Sequence, residues 1–397
     1  MKKILTTTSI LVAIASTSHA ASISKRVSDI EDRLAKMEKS SEKIGNFLKQ
    51  HKMFGRIQYD KTFVTNDNDL NLRNNSKLRR GRLGLSGKMA QGWGYKYEID
   101  FAGDASNVTD AYISKSLFNK SASIKIGQYK EPFSLEELTS SRFITFLERA
   151  SINGFAPSRN IGIGYNHHLK NINFYSGLFG DAIGESSDTD DETISANARL
   201  AFYQQSENKD TLHLGVAYRI SEPTKDQVSY SFKPEASIET SSSALSTGNI
   251  LNANKIHQTG VEAAIVKGQT SVQAEYINTE IDRDGNNKNH TLEGYYVQFS
   301  HFFTDDKRNY NTKSSAFGRV KPSNKKGAWE IAYRYSDVEA NSGTLTAGNM
   351  ENNSVALNYY ATNNIRLMAN YINVNVDSNS AYQDDAEILA FRAQIDF

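Results

Sequence analysis

Residues Glu387 to Phe397 alternate without a slip. Leu389, Phe391, Ala393, Ile395 and Phe397 fall on one face, and Ala390, Arg392, Gln394 and Asp396 on the other. Period two belongs to a β-strand, whose successive side chains point to opposite sides. One side here is hydrocarbon-like and the other carries ions, which is the pattern of a strand standing between lipid and water. It recurs upstream. Trp93, Tyr95, Tyr97, Ile99 and Phe101 alternate with Gly94, Lys96, Glu98 and Asp100, and Leu212, Leu214, Val216, Tyr218 and Ile220 alternate with His213, Gly215, Ala217 and Arg219. Strands in lipid must satisfy every backbone group through neighbouring strands, so the chain is expected to be all-β and closed into a transmembrane antiparallel barrel.

Further strands are expected at 54–62, 77–87, 107–115, 121–129, 159–168, 171–180, 193–204, 256–266, 270–281, 291–303, 327–338, 352–361, 364–375 and 387–397. With the two above they make sixteen. Short links (88–91, 116–120, 168–170, 205–209, 267–269, 362–363) alternate with longer ones (63–76, 130–158, 181–192, 222–255, 282–290, 376–386). Barrels of this kind have short periplasmic turns and long outer loops, so both ends of the chain belong on the periplasmic side, which requires an even strand number. Val228, Tyr230 and Phe232 also alternate but fit inside the fifth outer loop. Residues 304–326 are the exception, a long stretch where a short turn is expected. All five prolines (Pro132, Pro157, Pro223, Pro234, Pro322) fall in expected loops, as a ladder of hydrogen bonds requires.

The chain begins with Lys2 and Lys3, an apolar run from Ile10 to Ala15, and Ser18-His19-Ala20. This reads as a secretory leader over residues 1–20, too short and too interrupted for a membrane helix. Over 21–50, Ile23, Val27, Ile30, Leu34, Met37, Ser41, Ile44 and Leu48 recur at spacings of four and three. That is a heptad seam, expected to form a parallel coiled coil; the alternative is a helix lying on its own barrel. The barrel domain then occupies 51–397. Cysteine is absent, which excludes disulfides and thiolate chemistry, and a formal net charge of +1 gives no basic excess for nucleic acid.

Several blocks resemble the phosphate-selective porins O and P of Gram-negative outer membranes: Arg79-Arg80-Gly81-Arg82-Leu83, Thr109-Asp110-Ala111-Tyr112, and above all Ile126 to Glu136 (IGQYKEPFSLE), continuing to Arg149. Gly260 to Ala264, Gln273 to Tyr276, Gly294 to Gln298, Gly327 to Glu330 and Arg334 to Ser336 extend the likeness. The terminal Phe397 is likewise similar to the C-terminal aromatic of bacterial outer-membrane proteins. The resemblance implies a sixteen-stranded homotrimeric porin whose third loop folds into the channel. Lys130 to Arg159 fits that role on its own composition, since Phe133, Leu135, Leu138, Phe143, Ile144, Phe146 and Leu147 need a surface to pack on. The spacing from Leu138 to Leu147 suits a short helix.

Strand phase turns Arg80, Arg82, Lys125, Arg199, Arg219, Arg334, Arg366 and Arg392 inward, with Lys96, Glu98, Asp100, Asp110, Glu262, Glu275 and Glu330. A Lys or Arg facing lipid at mid-bilayer would cost roughly 2–4 kcal/mol. Together with Arg142 of the third loop, the inward bases are the candidate anion contacts, since guanidinium forks suit phosphate oxygens. The alternative is that they pair with carboxylates on neighbouring strands. Glu131, Glu136, Glu137 and Glu148 outnumber the bases of the third loop, so only mild anion preference is expected. No metal site is expected. His167 and His168 face opposite ways, Asp282 to Asn287 reads as a loop turn, Asp188 to Glu192 as a solvated acidic loop, and no Ser/His/acid set clusters. The expectation is a porin passing small hydrophilic solutes, anions first, with lipid as its surroundings, no cofactor and no enzymatic role. A general or weakly cation-preferring pore and a structural outer-membrane tether are the alternatives.

Overall fold

In the computed structural model, residues 25–26, 28–43, 45, 49–67, 70, 72–103, 105–184, 191–238, 244–377 and 383–397 are described. The expected leader, the seam positions Ile23, Val27, Ile44 and Leu48, and Asp188 and Asp190 of the acidic loop lie outside them. The chain divides into two units, Met1–Lys52 and Met53–Phe397. In the first, residues 25–26 and 28–43 are helical and exposed.

The second unit is built from sixteen strands. They are β1 (His51–Asp67), β2 (Asn75–Lys88), β3 (Trp93–Asp100), β4 (Asn107–Leu117), β5 (Ala122–Lys130), β6 (Arg159–His168), β7 (Ile172–Phe179) and β8 (Ile194–Gln205), then β9 (Thr211–Glu222), β10 (Ala253–Lys267), β11 (Thr270–Arg283), β12 (His290–Phe302), β13 (Ala328–Ser342), β14 (Leu345–Tyr360), β15 (Ile365–Asp377) and β16 (Gln383–Asp396). Each pairs with its chain neighbours and β16 returns to β1, closing the barrel. The closing register sets Arg56 opposite Asp396, Tyr59 opposite Ala393 and Phe63 opposite Leu389. Alternation then sorts the residues. Tyr97, Ile113, Ile163, Leu200, Val216, Val297, Leu367 and Phe391 are exposed on the outer surface, while Glu98, Asp110, Arg199, Glu262, Arg334 and Arg392 are buried on the inner one. Placing the first set in hydrocarbon and the second in the interior is the only assignment without charges in lipid.

The interior is filled by three segments. The third outer loop, residues 131–158, enters with Phe133, Leu147, Ile152 and Phe155 buried; the fifth, from residue 223 to 252, brings Tyr230, Phe232, Ile238 and Leu245 into the same core. The Phe155 and Phe232 rings lie 4.8 Å apart. The alternating stretch around Tyr230 stays out of the barrel sheet, as expected, and forms two-residue pairings within its own loop, Gln227–Val228 with Ile250–Leu251 and Ser231–Phe232 with Leu245–Ser246.

Three expectations need correction. The helical turn of the third loop is Leu135–Leu138, not Leu138 to Leu147: Ser134 caps it by accepting the Glu137 N–H, and the chain beyond turns irregularly to put Ile144, Phe146 and Leu147 in the core. The stretch 303–327 is not a short turn but an inward hairpin, Asn309–Asn311 against Ala316–Gly318. Its Tyr310, Ala316 and Phe317 pack with Leu135 and Val266, which explains why a segment at the turn end of the barrel is so long. Residues 339–342 and 345–351, between the strands expected at 327–338 and 352–361, are also strand: β13 and β14 run on to a tight turn at residues 343–344.

Candidate functional site: a basic channel against one wall

The inward arginines divide by what they meet. On β13, β15 and β16 they hold the third loop by its backbone carbonyls. Arg334 donates to the Glu148 oxygen at 3.0 Å, Arg366 to those of Ile144 and Thr145 at 2.7 and 2.8 Å, and Arg392 to that of Leu147. Arg334 also pairs with Glu136 of the third loop and Glu235 of the fifth, and Arg392 with Asp60. Arg219 donates to Glu131 at 3.0 Å; Arg199 pairs with Glu262 and donates to the Ser315 carbonyl of the inward hairpin at 2.9 Å. Arg199, Arg219, Arg334, Arg366 and Arg392 therefore point inward as expected but line packed loops rather than open space. That corrects their expected place on the channel surface. A buried guanidinium is held by several acceptors at once, and the loop backbone supplies them.

The open space lies on the opposite side, against β1 to β7. A cavity of about 370 Å³ is bordered there by Arg56, Arg80, Arg82, Lys96, Lys125, Lys130, Arg142, Arg149, Arg159 and Lys313, with Asp110 its one acidic border residue among the described residues. Arg80, Arg82, Lys125 and Arg142 are thus where strand phase and loop position put them. Arg56 and Arg159 are not among the expected anion contacts, although strand phase carries Arg56 inward, alternating with Ile57 and Tyr59. Lys313 had no signal, because its placement depends on a hairpin folding up between the strands.

The carboxylates stand behind the bases. Arg82 reaches Asp100 at 2.7 Å and Glu98 at 3.2 Å, Arg56 reaches Glu98 at 3.2 Å, and Arg159 reaches Asp110 at 2.8 Å, with Lys96 on the other oxygen of Asp110. Glu98 is fully buried beneath Arg56 and Arg82. The loop acids, expected to crowd the constriction, are turned away from it. Glu131 faces Arg219, Asn197 and Asn160, Glu136 faces Arg334, and Glu148 sits among Arg79, Arg80 and Arg392. Burial pushes the Glu137 carboxyl up, but Arg149 and Lys130 outweigh it and hold it at about 2; Glu148 is likewise held well below the ordinary range against its burial by Arg79, Arg80 and Arg392.

Lys125 differs from its neighbours. Its ammonium lies 4.7 Å from the Tyr112 ring centre and 4.6 Å from that of Tyr129, and no carboxylate lies within salt-bridge reach among the described residues. The two rings meet edge to face at 5.7 Å. Aromatic faces stabilise a cation without neutralising it, so its charge stays available to a passing anion. Local chain geometry builds this spot: Gly127 holds φ at +123°, and a Cβ there would stand 2.2 Å from the Ala111 carbonyl oxygen of the paired strand. Only glycine tolerates that conformation and that approach.

The chain matches the family described as phosphate-selective porin O and P over residues 52–397. It is 25% identical over 393 residues to Porin O of Pseudomonas aeruginosa, covering 87% of this chain and 88% of that one. In fold it is similar to the outer membrane channel DcaP of Acinetobacter baumannii (TM-score 0.55, 14% identity, 87% and 97% of the two chains). It is also similar to OmpF of Salmonella typhi (TM-score 0.57, 12% identity, 87% and 97%) and to a trimer form of the Vibrio cholerae outer membrane protein OmpT (TM-score 0.56, 11% identity, 87% and 99%). With a closed sixteen-stranded barrel, a third loop folded into its interior and a match reaching from the first strand to the last residue, this chain is an outer-membrane porin and belongs to the phosphate-selective porin O and P family.

Proposed function

We propose that this porin passes small anions, phosphate among them, through the cavity against β1 to β7. The observation that carries the reading is the ten-to-one excess of basic over acidic residues bordering that cavity, with the loop carboxylates drawn off into the packed side. A narrow space walled by low-dielectric protein focuses the field of its lining charges, so the excess concentrates anions and repels cations. Most of these bases, Lys125 excepted, are partly compensated by a carboxylate behind them, which keeps the sites weak enough to release an ion, as conduction requires. Lys125 and the Arg80 to Arg82 pair are the proposed contacts at which an anion exchanges water for protein donors. The reading makes the chain a passive channel rather than an enzyme, with lipid around its apolar belt and removal of residues 1–20 on export. The trimer form of the similar Vibrio structure supports assembly as a homotrimer.

The test is the reversal potential of the purified protein in a planar bilayer under a salt gradient. Clear anion selectivity is expected, with chloride current reduced by added phosphate. A reversal potential on the cation side would overturn the reading in favour of a general or cation-preferring pore, and a lack of conductance would favour the tether.

A further inference from the structure

The short turns at one end of the barrel are marked by lysine. Lys88, Lys120, Lys170, Lys209 and Lys267 stand one to a turn on the first five, and the sixth adds Lys325 and Lys326. All seven are exposed, whereas the exposed acids on the same turns, among the described residues, are Glu207 and Asp305. A lysine of this end that does find a carboxylate is Lys307, 3.0 Å from Asp210. The opposite end reverses the sign, with Glu222, Glu280, Asp284, Glu293 and Asp377 exposed. Lysines scattered for solubility would be mixed with acids at both ends, so the sorting calls for an anionic partner beside the turns.

The kind of anion follows from what else this end exposes. Met89, Phe118, Leu169 and Phe303 lie on the same turns as the lysines, and Phe118 is 70% exposed. A free ion or a hydrophilic polymer would leave these side chains in water, whereas a ligand with acyl chains below its charge satisfies both. Lys267 ends the outward row of Val261, Ala263 and Ile265, at the edge of the apolar belt. The chain's two tryptophans mark the depth. Trp93 and Trp329 stand at the start of β3 and β13, Trp93 with the Lys115 ammonium 5.2 Å from its ring centre and Trp329 stacked on Tyr359 at 4.5 Å. Such aromatic residues sit at headgroup level, where a lysine stem lies along hydrocarbon and its ammonium reaches the phosphates. We propose that the short turns bind the phosphodiester headgroups of anionic phospholipid in the leaflet around them, ammonium groups on phosphate and apolar turn residues among the first acyl carbons. A zwitterionic headgroup is disfavoured because it brings its own amine against the lysines. Such binding rests on the reading of the barrel as lipid-spanning, not on which ion the pore prefers.

The experiment uses the full-length protein in vesicles of phosphatidylcholine mixed with phosphatidylglycerol, with Trp93 and Trp329 as native probes. One lipid or the other is brominated on its acyl chains, and quenching of tryptophan fluorescence reports which lipid stands at the short-turn end. Brominated phosphatidylglycerol should quench severalfold more than its share of the mixture predicts. K88Q, K120Q, K325Q and K326Q together should bring quenching down to that share. K88R, K120R, K325R and K326R together should retain the excess, and K288Q at the opposite end should change nothing. Inorganic phosphate should displace the lipid no better than chloride at equal ionic strength, since both only screen the lysines. Quenching in proportion to bulk composition, an excess that survives the fourfold Lys→Gln substitution, or specific displacement by inorganic phosphate would each overturn the proposal, the last assigning the lysines to the free ion. Quenching by neither lipid would overturn the lipid-spanning reading and this proposal with it, whereas proportional quenching overturns the proposal alone.

Discussion

Charge at the channel wall is set residue by residue, and Lys125 is the most telling case because its neighbours are rings. Lys125→Ala should reduce the anion-to-cation permeability ratio by a larger factor than Lys96→Ala, since Lys96 already shares Asp110 with Arg159. Reversal potentials of the two variants under the same gradient make the comparison. Arg80→Ala with Arg82→Ala should also weaken anion preference, but with a cost in stability. Removing Arg82 leaves Glu98 and Asp100 each short of a partner, and a buried carboxylate stripped of a partner is penalised by several kcal/mol, about 3–5 in measured cases. Lys125 carries no such obligation. Strand phase sufficed to turn Arg80, Arg82 and Lys125 inward, because period two is local. It could not separate these three from Arg199, Arg219, Arg334, Arg366 and Arg392, since which inward base meets water depends on where three loops pack, and that is not local.

At the scale of elements, the third loop is held by side chains from across the barrel, and the anchor on Glu137 has a definite pH range. Its ordinary value of 4.5 is depressed to about 2 in the folded state. A depressed carboxyl contributes stability that is present above its unfolded value and is lost as pH falls toward the folded one. Open-channel current should therefore stay quiet from neutral pH down to about pH 4 and become noisy below about pH 3, as Lys130 and Arg149 lose their partner. Glu137→Gln should bring that noise to neutral pH. The inward hairpin is a second test of element-level reading. Replacing residues 304–326 by a short turn should raise single-channel conductance severalfold, because Lys313 and the packed Tyr310 and Phe317 leave the interior. Existence of this hairpin was visible only as a discrepancy, a long segment at the short-turn end. Its direction was not, because Tyr310 and Phe317 read equally well as packing on any apolar surface.

At the largest scale, the barrel unit is a closed cylinder whose outer face follows the sequence pattern strand for strand. Sixteen segments of alternation became sixteen strands, with β1, β13 and β14 running beyond their expected ends where polar residues continue the ladder outside the apolar belt. The absence of native cysteine makes the sidedness testable. Lys96→Cys should react quickly with a membrane-impermeant thiol reagent through the channel, while Tyr97→Cys, one position along β3, should be protected by lipid. Comparable labelling of both would mean the strand does not stand between two solvents. The global charge balance near zero concealed the functional asymmetry altogether: bases (46) and acids (45) are nearly matched in the chain but are sorted in space, the acids behind and the bases in front.

That sorting has a kinetic consequence. The interior core joins the third loop, the fifth loop and the hairpin at 303–327, segments lying about 80 to 170 residues apart in sequence, and each anchors on strands that face one another only in the closed cylinder. Non-local contacts of this kind form late, after loop-closure entropy has been met. Interactions absent from the transition state govern the rate of unfolding rather than the rate of folding. Substitutions such as Phe232→Ala or Glu235→Gln should accordingly leave the rate of insertion into lipid nearly unchanged and shorten the lifetime of the inserted protein. Half of this barrel would then be a globular core assembled inside a finished wall.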